Sequence, residues 1–310
     1  MRILLLSDIH SNLEAFEACL NTLPSFEAVV NLGDIVGYGA SPNEVTGKVR
    51  EMGGAVVRGN HDRVVAGLDN VETFNPIAAL AALWNRDQLT GDHLEWLRAL
   101  PQGPMALPLC PGVQFVHGAP EDEDRYVVTI ADSLESLAVA EASVTFFGHT
   151  HIQGIFYLRS GVVENLYPEY GTIGNKEKWE FPLQTGASYM INPGSIGQPR
   201  DGDWRAAFAL FDSEQRVVTF YRVPYDLRTA QERIFAANLP PRLATPDWSL
   251  SRHQMFVPTS RYWNSPCLAS TGTRVPILIS PPSSGLEFIE YCRELIFLPS
   301  SSSFTEKSSR

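Results

Sequence analysis

The chain has 310 residues, of which 44% are hydrophobic, and a formal net charge of −11 at pH 7. This length predicts one large or two modest domains with a sizeable core. The negative charge argues against broad binding to nucleic acid or anionic membranes, because both need a basic face. The four cysteines form no CxxC pair, and no apolar run has the length of a signal peptide or a membrane span, so we expect a cytoplasmic protein without membrane association.

The hydrophobic periodicity predicts an α/β order in the first half of the chain. We expect strands at 1–7, 28–32, 55–58, 114–117 and 144–148, and helices at 12–23, 42–52, 76–100 and 133–142. Alternating strands and helices imply parallel strand pairing. The second half predicts an antiparallel arrangement, with shorter strands at 154–158, 162–166, 188–192, 206–211 and 216–223 and a last helix at 229–239.

The composition changes at about Thr245. Residues 245–310 are rich in Ser and Pro and lack a hydrophobic period, which is typical of poorly ordered sequence. We therefore expect one folded domain over residues 1–244, followed by a C-terminal extension over 245–310 that contributes nothing to a functional site.

Polar residues follow each predicted strand of the first half. They are Asp8 and His10, Gly33-Asp34, Gly59-Asn60-His61-Asp62, His117, and Gly148-His149-Thr150-His151. In open α/β sheets, ligands bind beyond the carboxyl ends of the strands. Because five of the seven histidines lie in these short motifs, the pattern predicts a metal site.

The residue types fit a pair of divalent cations. On an extended strand end, residues i and i+2 point the same way, so His149 and His151 can reach one place; a surface histidine pair is the alternative. Asp34 is the best bridging candidate, since a carboxylate can bind two cations, and Asn60 offers a neutral oxygen. Two such ions would leave a locally positive site able to bind phosphate in an acidic protein.

The whole series of motifs resembles the calcineurin-like metallophosphoesterases. It is present in order over most of residues 1–151, and the segment Asn192-Pro193-Gly194-Ser195-Ile196-Gly197-Gln198-Pro199-Arg200 is similar to the small bacterial and archaeal, phosphodiesterase-type branch. The resemblance thus covers roughly residues 1–244. It implies a four-layer α-β-β-α sandwich, in which two mixed β-sheets pack face to face with helices on both outer sides.

The resemblance also implies roles for the motif residues. The first metal would be held by Asp8, His10, Asp34 and His151, and the second by Asp34, Asn60, His117 and His149. His61 would face the substrate, stabilise the phosphoryl oxygens and help to protonate the leaving group, while Asp62 would orient the His61 ring. A hydroxide that bridges the two metals would attack phosphorus in line.

Three features outside the motifs have a functional and a structural interpretation. Arg200 could bind a phosphate oxygen, or it could be a solvated loop arginine. Asn12 could contact the substrate, or it could cap the first helix. The acidic run Glu121-Asp122-Glu123-Asp124 could select against highly charged substrates, or it could be a solvated loop.

The implied activity is a metal-dependent phosphodiesterase or phosphatase that acts on a small phosphorylated substrate. Manganese is the expected metal, with Fe, Ni, Zn, Co or Mg as alternatives. A protein or nucleotide phosphatase of the same superfamily is a second hypothesis, although the segment after Asp34 lacks the arginine of the protein serine/threonine phosphatases. A non-catalytic scaffold on the same fold is a third. The natural substrate and the oligomeric state stay open.

Truncation after Ala244 is expected to leave enzymatic activity and the melting temperature nearly unchanged, because the extension carries none of the motif residues. Turnover of an aryl phosphate and thermal unfolding of the shortened chain would measure both. A collapse of either quantity would contradict the predicted domain boundary.

Overall fold

The structure is a computed structural model that describes residues 1–172 and 174–245, together with a short strand at Arg274–Pro276. The rest of the predicted C-terminal extension lies outside the described residues. Among the described helices, none combines the length and the apolar character that crossing a membrane requires.

Seven α-helices and thirteen strands are present in the described part of the chain. In chain order they are β1 (Arg2–Leu6), α1 (Leu13–Leu20), β2 (Ala28–Asn31), α2 (Pro42–Met52), β3 (Ala55–Val56), α3 (Asn60–Val65), α4 (Pro76–Gln88), α5 (Gly91–Arg98), β4 (Met105–Ala106), β5 (Val113–Phe115), α6 (Ile130–Val139), β6 (Val144–Phe146), β7 (Gly154–Arg159), β8 (Val162–Leu166), β9 (Glu177–Pro182), β10 (Ser188–Asn192), β11 (Ala206–Asp212), β12 (Val217–Val223), α7 (Leu227–Ala236) and β13 (Arg274–Pro276). A 3₁₀ turn at Pro241–Ala244 follows α7.

The strands form two mixed sheets. The first has the order β3-β2-β1-β11-β12-β9, and the second has the order β13-β8-β7-β10-β6-β5-β4. The pairs β1-β2 and β2-β3 are parallel, whereas β1-β11, β11-β12 and β12-β9 are antiparallel. In the second sheet β5-β6 and β6-β10 are parallel, and the other pairs are antiparallel.

The alternation of buried side chains along β1 explains the layers. Ile3 and Leu5 lie in the core between the two sheets, together with Phe146 of the second sheet. Leu4 and Leu6 point to the opposite face and pack against helices of the first outer layer. A third cluster places α6 on the outer face of the second sheet. The predicted α-β-β-α sandwich of two mixed sheets flanked by helices is therefore confirmed.

The structure differs from the predicted elements in several places. The helix expected at 76–100 is two helices, because Thr90 starts α5 as an N-cap whose hydroxyl accepts the His93 N–H. The helix α3 and the strands β4 and β9 were missed, since each is short or lacks a clear period. The second half is not wholly antiparallel, because β10 pairs in parallel with β6.

The two parallel groups bring the motif residues together. The strands β1, β2 and β3 of one sheet and β5 and β6 of the other end at the same side of the sandwich, where their following loops meet. The polar residues that follow these strands therefore lie across the ends of two facing sheets.

Candidate metal centre

Two groups of buried acidic and histidine side chains could each hold a metal ion. The first comprises Asp8, His10, Asp34 and His151, and the second comprises Asp34, His117 and His149. Within each group the ligand atoms lie within 4.8 Å of one another. These are all the aspartates and histidines that the sequence predicted as ligands.

Each of the four histidines has one ring nitrogen fixed by a backbone carbonyl. Nδ1 of His10, His117 and His151 lies 3.0, 2.7 and 2.6 Å from the carbonyl oxygens of Val36, Leu32 and Gln198, respectively. His149 uses its Nε2 in the same way, 3.0 Å from the carbonyl oxygen of Asp124. A ring nitrogen that donates to a carbonyl leaves the other nitrogen with a free lone pair, which is how metal-ligating histidines are held.

The free nitrogens face one another across very short distances. His10 Nε2 lies 3.0 Å from His151 Nε2, and His117 Nε2 lies 3.1 Å from His149 Nδ1. Two lone pairs at this distance repel each other unless a proton or a cation lies between them. The donor set therefore fits divalent cations, because nitrogen and carboxylate oxygen are their usual protein ligands.

Asp34 belongs to both groups through one oxygen. Its Oδ2 lies 3.5 Å from His10 Nε2 and 3.5 Å from His117 Nε2. Its other oxygen, Oδ1, accepts the backbone N–H of His61 at 2.8 Å. The carboxylate is thus oriented by the start of α3, with Oδ2 between the two groups.

The remaining predicted ligands lie where a cation could reach them. Asp8 Oδ1 is buried and has no hydrogen-bond partner among the described residues, although it lies 3.2 Å from His151 Nε2. Asn60 Oδ1 lies 3.2 Å from His117 Nε2, at the second group. A buried carboxylate oxygen without a partner is costly, and a cation would compensate it.

The ligand turns are left-handed rather than extended. Asp8, His10, Asp34, His149 and His151 all have a positive φ, between 49° and 65°. Few non-glycine residues adopt this region, and such strain is typical of functional sites. The assumption that His149 and His151 lie on an extended strand end was therefore wrong. The turn sends their side chains to different groups, with His151 in the first and His149 in the second.

Two glycines allow the loops after β2 and β3 to touch. A Cβ on Gly33 would meet the backbone of Gly59, and a Cβ on Gly59 would meet the carboxylate of Asp34. Gly33 also has a φ of +97°, which L side chains rarely adopt. Any larger residue at either position would move Asp34.

Burial keeps most of these histidines neutral. It lowers the pKa of His149 to about 3 and that of His61 to about 4, and it also lowers the pKa of His10 and His151. His117 is the exception. Burial lowers its pKa, but the Asp34 carboxylate, the Asp8 carboxylate and the Leu32 carbonyl together raise the pKa more, to about 10.

The carboxylates of Asp8 and Asp34 are ionised. Burial raises the pKa of both groups, but the neighbouring histidines lower it more, chiefly His151 for Asp8 and His117 for Asp34. Ionised carboxylates beside neutral imidazoles are the protonation states that metal binding requires.

His61 lies against the first group without belonging to it. Its ring centroid is 4.8 Å from that of His10, 4.5 Å from Tyr38 and 4.5 Å from Phe74. In the part of the chain that the structure describes, His61 Nδ1 has no hydrogen-bond partner, and a Cβ on Gly37 would meet it. The ring is therefore held by packing.

The hydrogen bonds of Asp62 differ from those that its expected role of orienting the His61 ring would require. Its carboxylate does not contact the His61 ring but accepts three backbone N–H groups, from Ile35 at 2.9 Å, Val36 at 3.2 Å and Gly59 at 3.0 Å. Asp62 is the third residue of α3, so its side chain points back over the helix start and into the loop after Asp34. It holds the two ligand loops together instead of orienting His61.

The two predicted substrate residues lie beside the cluster. Asn12 caps α1, since its Oδ1 accepts the Ala15 N–H at 3.2 Å and its Nδ2 donates to the Gly197 carbonyl at 3.0 Å. Arg200 Nη2 donates to Gln198 Oε1 at 2.7 Å and to the Tyr38 hydroxyl at 3.3 Å. The capping interpretation of Asn12 is confirmed, and its contact with a substrate stays a prediction.

The acidic run after His117 is largely neutralised by ion pairs. Glu123 pairs with Arg58 and Arg63, Asp124 pairs with Arg63, and Glu121 pairs with Arg125. An electrostatic filter needs free negative charge, so these pairs argue against substrate selection by this run.

Several residues that support the site were not predicted. Ser7 Oγ donates to Asp8 Oδ2 at 2.5 Å, and Asn192 Nδ2 donates to the Gly148 carbonyl at 2.8 Å and to Thr150 Oγ1 at 2.9 Å. The Tyr126 ring stacks on His149 with 4.0 Å between centroids. Ser7 directly precedes the Asp8 motif and Asn192 begins the segment 192–200, so their positions in the sequence could have indicated a role at the site. Tyr126 follows the acidic run and lies in no motif, so nothing in the sequence indicated its role.

Comparison with known proteins agrees with this cluster. A family model described as the calcineurin-like phosphoesterase superfamily domain matches residues 1–216. An uncharacterized protein from Methanocaldococcus jannaschii is 34% identical over 240 residues, which cover 77% of this chain and 93% of that protein.

Two solved structures have a similar fold. A metallophosphoesterase from Sphaerobacter thermophilus is 35% identical, with a TM-score of 0.67, and the match covers 79% of this chain and 98% of that chain. A hypothetical protein from Pyrococcus horikoshii OT3 has a TM-score of 0.62 at 20% identity, covering 78% of this chain and 96% of that chain. The second similarity concerns the fold alone.

Asp34→Asn is expected to lose bound metal, because the amide carries no negative charge and Asp34 belongs to both ligand groups. Elemental analysis of the purified variant would measure this loss. Asp87→Asn, on the exposed face of α4, is the matched control and should keep its metal. Full occupancy in Asp34→Asn would contradict a bridging position.

Metal binding to the stripped protein at pH 8 is expected to release about one proton per chain, since His117, with a pKa of about 10, must lose its proton to bind a cation. The other ligand histidines have lowered pKa values and are already neutral at this pH. Calorimetric titration in buffers of different ionisation enthalpy measures the number of protons released. This number should fall as the pH approaches 10. Binding without proton release at pH 8 would refute the raised pKa.

Proposed function

This chain belongs to the calcineurin-like phosphoesterase superfamily, and from this membership we propose that it hydrolyses phosphoester bonds with two divalent metal ions. The proposed substrates are small phosphodiesters or phosphomonoesters. Manganese is the proposed metal, since a mixed set of His, Asp and Asn ligands accepts several divalent ions and availability then decides.

One observation carries the proposal of two ions. Asp34 Oδ2 lies at the same distance, 3.5 Å, from a free histidine nitrogen of each group. In this proposal His10, His151 and Asp8 would hold one ion, Asn60, His117 and His149 would hold the other, and Asp34 could serve both. When bound, the ions would lower the pKa of a water molecule and offset negative charge on the phosphoryl oxygens.

His61 is the proposed proton donor to the leaving group. Its Nδ1 is enclosed against Gly37, which leaves Nε2 to face the substrate. Burial lowers the His61 pKa to about 4, so the ring is neutral near pH 7 and carries one N–H donor. That donor would stabilise a phosphoryl or leaving-group oxygen. The charge of a bound phosphate would raise the pKa of His61, so that the ring could take up a second proton from solvent and pass it to the leaving-group oxygen.

Arg200 is the proposed phosphate-binding residue. Its side chain lies over the Tyr38 ring, with 5.8 Å from Cζ to the ring centroid, and Tyr38 in turn contacts both His10 and His61. Its Nε is buried and has no hydrogen-bond partner among the residues that the structure describes, so the guanidinium keeps one unused donor. The planar guanidinium matches the geometry of phosphate oxygens.

The substrate class is tested on metal-stripped protein reconstituted with Mn²⁺. The panel comprises p-nitrophenyl phosphate, bis-p-nitrophenyl phosphate and cyclic nucleotides, which separate monoesterase from diesterase activity. We expect metal-dependent hydrolysis of at least one ester. If the protein bound two ions and hydrolysed none of these esters, the hypothesis of a non-catalytic scaffold would replace this proposal.

His61→Ala is expected to lower kcat by roughly 10²–10⁴, the usual size of general acid–base assistance, while metal content stays near normal. Steady-state kinetics and elemental analysis on the same sample measure both. His93→Ala is the matched control, since His93 lies on α5 and contacts Asn43 rather than the cluster. Unchanged kcat in His61→Ala would rule out the proposed role.

A further inference from the structure

The loop between β5 and α6 supports the second metal group from outside. This acidic loop, defined as residues 119–126, follows His117 and includes Asp124 and Tyr126. The Asp124 carbonyl oxygen accepts from His149 Nε2 at 3.0 Å, and the Tyr126 ring stacks on the His149 ring. The orientation of His149 therefore depends on this loop.

His149 differs in this respect from the other three ligand histidines. The carbonyls that fix His10, His117 and His151 come from buried residues, whose positions are set by the core and the sheet ends. Asp124 is instead exposed. An exposed loop is ordinarily the most mobile part of a fold, so this hydrogen bond needs another source of rigidity.

Ion pairs with two arginines supply that rigidity. Arg63 Nη1 donates to Glu123 Oε1 at 2.6 Å, and its Nη2 donates to Asp124 Oδ2 at 2.5 Å. Arg58 adds two hydrogen bonds to the Glu123 carboxylate, at 2.9 and 3.2 Å. The Arg63 and Glu123 side chains are only 13% and 12% exposed, so solvent screens this pair less than an ordinary surface pair.

Arg63 connects the loop to another ligand of the same metal group. It lies on α3 three residues after Asn60, whose Oδ1 is 3.2 Å from His117 Nε2. Residues three apart lie on the same side of a helix. The guanidinium therefore joins the helix that carries Asn60 to the loop that orients His149.

We propose that Arg63 is a positioning residue for the second metal ion, acting through Glu123 and Asp124 on the orientation of His149. This inference rests on the proposed function, because it requires two ions. In this inference, the acidic run is held by arginines and in turn fixes the orientation of the metal ligand His149. The fork of the guanidinium is essential, since its separate nitrogens reach the carboxylates of Glu123 and Asp124 in the loop and also that of Asp69.

The test is a titration of the metal-stripped full chain with Co²⁺, followed by visible absorbance and calorimetry. The wild type is expected to bind two equivalents. Arg63→Met should bind one equivalent as tightly as the wild type and the other 10- to 100-fold more weakly, the usual effect of losing a partner behind a metal ligand. Arg63→Lys should recover part of the affinity, because it restores the charge without the fork.

Arg125→Met is the matched control. Arg125 belongs to the same loop but pairs with Glu121 and Glu135, so both equivalents should bind normally. If Arg63→Met does not fold, Asp124→Asn decides, since it removes the paired carboxylate and keeps the carbonyl that fixes His149. This variant should weaken the same single equivalent that Arg63 is proposed to support.

The outcomes separate this inference from the proposed function. A wild type that binds one equivalent refutes the two-ion proposal and this inference with it. A wild type with two equivalents and an Arg63→Met variant with unchanged affinities refutes only the role of Arg63. Equal weakening of both equivalents in Arg63→Met, without recovery in Arg63→Lys, would show a general structural role and overturn the selective one.

Discussion

The carboxylate of Asp34, buried among histidine nitrogens, is the interaction on which the rest of the site depends. A buried carboxylate is unfavourable unless hydrogen bonds or positive charge compensate it. Here one oxygen accepts the backbone N–H of His61, and the other lies 3.5 Å from the Nε2 atoms of His10 and His117. Its negative charge raises the pKa of His117, opposes the effect of burial on His10 and His61, and contributes to the raised pKa of Asp62.

The loops around Asp34 are built to keep it in this position. Asp62 accepts backbone N–H groups from both ligand loops. Gly33 and Gly59 have no side chain, so the two loops can approach each other closely. The left-handed backbone at five of the ligand positions stores strain that this packing must offset. The second ligand group is held differently, because the carbonyl that orients His149 belongs to an exposed loop. Ion pairs with Arg63, rather than core packing, hold that loop in place.

Sequence patterns predicted some helices closely, although they joined α4 and α5 into one. The helix α2 has the predicted bounds, because Pro42 sets its start and Gly53, with a φ of 67°, ends it. The short helix α3 was missed because its first residues are the polar motif itself, whose composition indicates a loop rather than an amphipathic helix. The parallel pairing of β10 with β6 was missed because it joins strands distant in sequence, and no local period reports such a pairing.

The sequence by itself determined which residue types end each strand, and hence that Asp, Asn and His side chains would gather at one place. Strand direction and hydrophobic alternation suffice for that conclusion, since both are local properties. The resemblance to a known family implied how these residues divide, but only the tertiary structure showed the physical cause of the division. The left-handed turn after β6 separates His149 from His151, and the approach of the β2 and β3 loops assigns Asp62 to backbone groups instead of His61. These outcomes depend on which loops meet across two packed sheets, and adjacency in the chain carries no information about that.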